Sequence, residues 1–402
     1  MGRGVSRYGI VDRNTPITTS VKETAGGLPA VISAWKHGVS KMGFVGSTVS
    51  LGRANQKRGF DCPGCAWPDP KHRSPFEYCE NGAKAVSDEA TIKTIPDSFW
   101  QEHSIHALGR KSDQWLNSQG RLSRPLILER DSNHYVPSDW DRAIGIIAKS
   151  LDALEDPNDA YFYTSGRASN EAAYLWQLLA RQYGTNNLPD CSNMCHESSG
   201  VALNESIGIG KGTVRLEDFD KADLIVIVGQ NPGTNHPRML SALKSAKKSG
   251  ASVLSINPLK ETGMRRFRHP QSPIDMLGAG TQISDDHVNI KINGDMALFR
   301  AIGSIILDKG SHDLDFINLN TTGFLDYAKI AQKIDWDLIE HLTGQDRERI
   351  NEISDYFCRS KRTIVCWAMG ITQHKNSVNT IREIMNVCLL YTSDAADESR
   401  GG

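Results

Sequence analysis

Beyond residue 159 the apolar residues alternate between two patterns. The unbroken run Leu224–Val228 marks a strand buried on both faces of a parallel sheet, and Ser252–Ile256 and Thr363–Trp367 read as further strands. Residues 160–163 and 288–292 read as strands too. Between these runs apolar residues recur every three or four positions, as on amphipathic helices. A helix opens at Ser138-Asp139 and runs to about Leu154, with Ala143, Ile144, Ile147 and Leu151 on one face. Ser169 or Asn170 caps a second that Gly184 ends, and Pro237 starts a third that Gly250 ends. A fourth starts near Ser198, and four more fall at 295–307, 324–334, 346–356 and 376–387. Strand, helix and strand across 224–256 make one βαβ unit, right-handed by default. The fold class expected is α/β, with Rossmann-like parallel sheets.

The first 150 residues lack this regularity. Residues 1–58 form a Gly- and Lys/Arg-rich arm, expected to be extended with a disordered start and one short helix within 28–42. In 59–150, Pro63, Pro68, Pro70 and Pro75 interrupt regular structure. A small irregular domain of this kind needs a staple, and a metal site is the natural one. Residues 151–387 carry the α/β domains. The last predicted helix should continue inward past Cys388 but meets Tyr391-Thr-Ser-Asp-Ala-Ala-Asp-Glu-Ser-Arg-Gly-Gly402. Residues 388–402 therefore read as a non-native tail, with the rest of a longer protein missing.

Composition narrows the function. The 402 residues are 39% hydrophobic and 23% charged, with a net charge of −1, which gives no reason to expect nucleic acid or an anionic membrane surface. No apolar run approaches the roughly 18–20 residues needed to cross a bilayer, and there is neither a signal-peptide core nor a twin-arginine pair. A cytoplasmic protein with a small-molecule substrate is expected, and its eight cysteines are then not a disulfide framework.

Three constellations carry chemistry. Cys62-Pro-Gly-Cys65, followed by Cys79, has the spacing of thiols around an iron–sulfur cluster, a zinc ion or a redox pair; His72 and Asp69 are candidates for a fourth ligand. Four loops after predicted strands hold glycines and amides suited to a nucleotide-bearing cofactor: Gly166-Arg167, Gly229-Gln230-Asn231-Pro232 with Asn235, Asn257-Pro258, and Gly370 with Gln373 and His374. There is no GxGxxG and no Walker motif, so NAD and ATP are not signalled. Third, Cys195-His196 lies just before the predicted helix near Ser198, where unpaired N–H groups favour a thiolate. Adjacent residues do not face each other as a nucleophile–base pair, so a cysteine hydrolase is disfavoured. A non-catalytic nucleotide- or zinc-binding module is the competing class.

Taken together, 120–126, 140–143, 165–171, 184–187, 193–200, 224–237 and 369–374 resemble the molybdopterin oxidoreductase family, specifically formate dehydrogenase-like catalytic subunits. The stretch 61–70 with 79–84 is similar to the YdeP-like subgroup. The resemblance implies a several-domain fold holding molybdenum in two molybdopterin guanine dinucleotides, plus a [4Fe-4S] cluster on Cys62, Cys65 and Cys79. It implies Cys195 as the molybdenum ligand, His196 as the active-site histidine, Lys84 between cluster and pterin, and electrons leaving through the cluster to a partner protein. Formate is the first substrate implied and an oxo-transfer substrate such as nitrate the second. This portion alone is expected to be inactive.

Overall fold

Leu224–Val228 is buried at every position, and its side chains split by parity between two cores. Leu224, Val226 and Val228 face a large cluster built on the helices Asp295–Asp308, Arg347–Arg359 and Ser377–Leu389. Ile225 and Ile227 face a smaller one formed with the helix Met239–Lys248, Phe219, Met264 and Phe267. A strand with apolar residues at successive positions has nowhere to sit except between two such layers. Its neighbours are Ser252–Ile256 and Thr363–Trp367, and Asp286–Val288 lies beyond the former, making a four-stranded, wholly parallel sheet. Asp223 anchors the amino end, accepting from the N–H groups of Lys361 and Arg362 and from the Arg362 guanidinium at 2.9 Å.

The computed structural model describes residues 22–391 except Ala66 and Arg167. It divides into two units: one comprises 32–64 and 75–190, the other 22–31, 65–74 and 191 onward. The first holds the short helices Glu80–Glu89, Asp97–Glu102, Ile105–Leu108 and Asp113–Ser118, an antiparallel hairpin of Leu126–Leu128 with Tyr135–Pro137, and the helices Trp140–Asp152 and Asn170–Tyr183. The second holds the parallel sheet. No helix among the described residues is long and apolar enough to cross a membrane.

Several expectations need correction. Residues 160–163 are extended but form no strand; Phe162 N–H donates to Asn187 O and a single bridge joins Thr164 to Asp190. One bridge cannot propagate a ladder. The strand expected at 288–292 is Asp286–Val288 instead: Asn257 N–H closes on Val288 O, Ile290 N–H turns back to the same oxygen, and no pairing edge remains. Among the described residues of the arm, most are helical rather than extended. Residues Gly27–Arg53 are helical, with a break at Gly43, whose φ of +71° interrupts the helix; its expected disordered start lies outside the described residues. The helix expected from Pro237 begins at Met239, after a separate turn at Pro232–Asn235. At the other end, helix Ser377–Leu389 runs past Val387, and Leu390 and Tyr391 are buried in the large core; residues 392–402 of the expected tail lie outside the described residues.

Candidate functional site

Three of the four predicted loops converge at the carboxyl ends of the one sheet, held together by backbone. Gly229 N–H donates to Ile256 O at 2.9 Å, Asn257 N–H to Val288 O at 3.1 Å, and Gly370 N–H to Gly229 O at 3.1 Å. The 229 and 370 loops touch main chain to main chain. A Cβ on Gly229 would stand 2.9 Å from the Gly370 carbonyl carbon, and one on Gly370 would stand 2.5 Å from Gly229 O. The 229 loop also rests on a third segment, where a Cβ on Gly233 would meet Gly263 Cα at 2.8 Å. The fourth loop differs. Gly166 belongs to the other unit and follows no strand, and Arg167 lies outside the described residues.

Cys195 and His196 sit in a helix that changes course. Residues Cys191–Ile207 are helical except at His196 (φ −134°, ψ 17°), so a short helical segment ends at Cys195 and a second begins after His196. The predicted helix start is thus real, but Cys195 closes a preceding turn that periodicity did not reveal. At this break Gln373 Nε2 donates to Met194 O at 3.0 Å and lies 3.4 Å from Cys195 O. Ser198 Oγ donates to Thr372 O. The 370 loop therefore holds the backbone that carries the thiol.

His196 is oriented through one ring nitrogen. Its Nδ1 lies 3.2 Å from Ser199 Oγ, and that oxygen accepts from Trp367 Nε1–H at 3.0 Å. An indole N–H only donates, so it fixes the hydroxyl oxygen and with it the imidazole. Burial lowers the pKa of His196 and keeps the ring neutral, which suits it to accept a proton. His236, in the 229 loop, is also lowered, by burial first and then by His196 nearby. Sequence reasoning passed over Ser199 and Trp367. They stand 168 residues apart and no local pattern pairs them.

The residues around these loops fit a polar, nucleotide-bearing cofactor. His236 Nδ1 and Gln230 Oε1 are buried with no hydrogen-bond partner among the described residues, and such atoms ordinarily have one. Gln230 Nε2 reaches only Met239 Sδ, at 3.5 Å. Asn231 Oδ1 caps the Pro232–Asn235 turn, while Asn257 Nδ2 donates to Leu259 O, and Asn289 Nδ2 to Pro258 O. Asp295, at the start of helix Asp295–Asp308, is 5% exposed; burial raises its pKa to about 6, opposed by His374 nearby.

Two of the cysteines outside this site have thiols raised by burial. Burial pushes the thiols of Cys366 and Cys388 up to about 12, leaving them unreactive. Iodoacetamide at pH 8 should leave both unmodified in the native protein and label them only after unfolding, read by peptide mass mapping; labelling of Cys366 in the native state would contradict its burial. Cys62 and Cys79 are brought together in the first unit. A Cβ on Gly82 would lie 3.1 Å from Cys62 Sγ and 3.7 Å from Cys79 Sγ. Gly82 N–H donates to Cys79 Sγ at 3.3 Å, and Cys62 N–H to Asn55 Oδ1 at 2.8 Å. Both sulfurs therefore pack against the bare backbone of Gly82. Cys65 belongs to the second unit, and among the described residues no set of three or more His, Cys, Asp or Glu side chains is drawn into a metal centre. Lys84 is paired with Glu80 at 2.7 Å.

Comparison with known proteins bears on this arrangement. Residues 121–398 match the family model described as molybdopterin oxidoreductase. An uncharacterized oxidoreductase of Mycobacterium tuberculosis is 48% identical over 376 residues, covering 92% of this chain and 48% of the relative. Protein YdeP of Escherichia coli is 43% identical over 382 residues, covering 92% and 50%. Formate dehydrogenase H of Escherichia coli is 28% identical over 275 residues, covering 67% and 36%. Among solved structures, acetylene hydratase from Pelobacter acetylenicus matches in fold with a TM-score of 0.55 at 18% identity, over 67% of this chain and 35% of that one. The chain spans about half the length of the first two relatives. It belongs to the molybdopterin oxidoreductase family, in its YdeP-like subgroup.

Proposed function

We propose that this chain is the cofactor-bearing part of a molybdenum-dependent two-electron oxidoreductase of formate dehydrogenase-like type. The observation that carries this is the fixed His196. A neutral imidazole, held by Ser199 and Trp367, stands next to a thiol whose backbone is tied to the 370 loop. Cys195 Sγ is the ligand for molybdenum. The loops with Gly229, Gln230, Asn231, Pro232, Asn235, Asn257, Pro258, Gly370, Gln373 and His374 hold the two guanine dinucleotides, together with Gly166 and Arg167. When bound, the molybdenum–pterin group supplies a two-electron acceptor. His196 orients the substrate and takes its proton at the ring nitrogen not facing Ser199. Cys62, Cys65 and Cys79 hold a [4Fe-4S] cluster as the electron exit toward a partner protein, with Lys84 between cluster and pterin. Formate fits this proton-accepting site better than an oxo-transfer substrate such as nitrate, because its oxidation releases a proton at the reacting centre. The portion described here is inactive alone, and the protein works in the cytoplasm.

Metal and pterin analysis after anaerobic expression of the full-length protein tests the reading. Molybdenum or tungsten with pterin, and about four irons per chain, are expected. Stoichiometric zinc without pterin would replace the enzyme with a zinc-binding module. In the loaded protein, Cys195→Ser should lose formate oxidation by a factor of about a hundred or more while its melting temperature stays put. Full activity in that variant would remove Cys195 from its role.

A further inference from the structure

One stretch of the second unit carries more positive charge than its carboxylates balance. Arg238 precedes the helix Met239–Lys248, and its Nη2 donates to Asp69 Oδ1 at 2.8 Å. The other oxygen of Asp69 takes Arg73 Nη2 at 3.0 Å. A carboxylate engaged by two guanidiniums is not a free metal ligand, so Asp69 is no longer a candidate for a fourth cluster ligand. One of those two positive charges also goes unmatched. Lys71 and Arg265 each have a carboxylate of their own, Glu217 and Glu23. Arg266 and Arg268 have no ion pair among the described residues.

A small sheet sets where these two arginines stand. Arg266–Arg268 is its middle strand, paired parallel with Ala25–Gly26 and antiparallel with Thr281–Gln282. Phe267 packs into the smaller core. Alternation along a strand then puts Arg266 and Arg268 together on the opposite face. The flanks of Arg268 are bare backbone. A Cβ on Gly27 would lie 3.2 Å from Arg268 Cβ, and one on Gly280 would lie 2.9 Å from Arg268 Cγ. Both glycines have positive φ, +71° and +77°. The arginine stem thus lies in a slot that a side chain at either position would close.

Two guanidinium nitrogens are left over. Arg268 Nε and Arg73 Nε are both buried and have no hydrogen-bond partner among the described residues. A buried N–H ordinarily has an acceptor. The two arginines sit on adjoining segments, because Gln271 Nε2 donates to Ser74 Oγ at 3.2 Å. Guanidiniums present paired N–H groups in a plane that matches the oxygens of a phosphate. With more than one positive charge unmatched, a phosphate dianion or a diphosphate suits the stretch better than a monocarboxylate.

We propose that Arg268, with Arg266 beside it and Arg73 on the adjoining segment, forms a binding site for a phosphate or diphosphate group, carried by a nucleotide or free in solution. The site uses neither the thiols nor the loops of the proposed redox centre, so it stands or falls apart from that reading.

The test is calorimetric titration of the 402-residue chain with inorganic diphosphate at low ionic strength, where screening is weakest. Wild type should bind it one to one. Arg268→Gln and Arg73→Gln should each bind about tenfold or more weakly, as the loss of hydrogen bonds to a charged group implies. Arg268→Lys keeps the charge and the stem but not the fork, and should fall between. Arg359→Gln, at the end of the helix Arg347–Arg359, is the control and should bind as wild type does. Titration with GDP separates the two sources. Binding tighter than that of diphosphate, and weakened by Arg268→Gln to the same degree, gives the site to a nucleotide. GDP that binds no tighter, or that Arg268→Gln leaves unaffected, makes a free oxyanion the ligand. Absence of diphosphate binding in wild type, or equal affinities in Arg268→Gln and Arg359→Gln, overturns the site. If Arg268→Gln shows no cooperative thermal transition, Arg268→Lys and the exposed Arg266→Gln carry the comparison.

Discussion

Replacing Gly229 by alanine is expected to cost roughly 3 kcal/mol or more and to disconnect the 229 and 370 loops. Two penalties add at this position. The residue has φ +56°, in the left-handed region, where an L side chain costs about 1–2 kcal/mol. Its new methyl would also stand 2.9 and 3.0 Å from the backbone carbons of Gly370, and overpacking against main chain costs about 1–3 kcal/mol because main chain cannot step aside. A domain is stable by only about 5–15 kcal/mol, so the loss is a large fraction of the whole. Gly250→Ala separates the two terms. Gly250 has φ +102° but nothing within 4 Å of the added carbon, so it should lose only the backbone part, about 1–2 kcal/mol. Urea unfolding of both variants measures this. Equal losses would mean that the contact between the loops is not tight. The damage at Gly229 should also reach Cys195, because the loop through Gly370 and Gln373 is what holds the Met194 and Cys195 carbonyls.

Asp295→Asn should stabilise the protein near neutral pH, the opposite of most substitutions of buried residues. Burial raises the carboxyl from its ordinary 3.8 to about 6, against the pull of its own backbone bond and of His374. A group whose folded pKa is raised binds protons more tightly in the folded state. Its stabilisation is complete below about pH 4, is lost as pH rises through 6, and stays lost above. The difference of about two pH units corresponds to at most about 3 kcal/mol. The asparagine variant should therefore exceed wild type by up to about 3 kcal/mol at pH 8, with the gap closing toward pH 4. Urea midpoints at pH 4.5 and pH 8 decide it; a gap that is the same at both would show that the carboxyl is not the cause. A residue that costs stability beside a candidate cofactor loop fits a site kept for binding rather than for folding.

Much of this is legible in the amino-acid sequence. The parallel sheet announced itself because a strand buried on both faces needs apolar residues at successive positions, and Leu224–Val228 has them without a break. Helix caps were equally local: Ser169 accepts from Ala172 N–H, and Gly184 ends the same helix at φ +111°. Less local features misled. Residues 160–163 have strand-like composition, yet strand formation depends on a partner edge that composition does not encode. The apolar faces of Trp140–Asp152 and Asn170–Tyr183 did predict helices, but Ile144, Ile147, Tyr174 and Leu175 remain exposed among the described residues. Periodicity reports that a face wants cover and not what covers it.

The candidate site divides along the same line. The sequence by itself determined the residue kinds: a Cys-His pair, paired thiols at CxxC spacing, and glycine- and amide-rich loops after apolar runs. Each is a property of neighbours in the chain. Tertiary structure alone decided how those pieces act on one another. It brought Trp367 to Ser199 and so fixed His196, laid Gly229 on Gly370, tied Gln373 to the backbone of Cys195, and fastened Asp69 to Arg238 across 169 residues. The physical reason is range. Helical periodicity, caps and turns are settled over a few residues, whereas hydrogen bonds and close packing between distant segments exist only once the sheet has brought its carboxyl ends together.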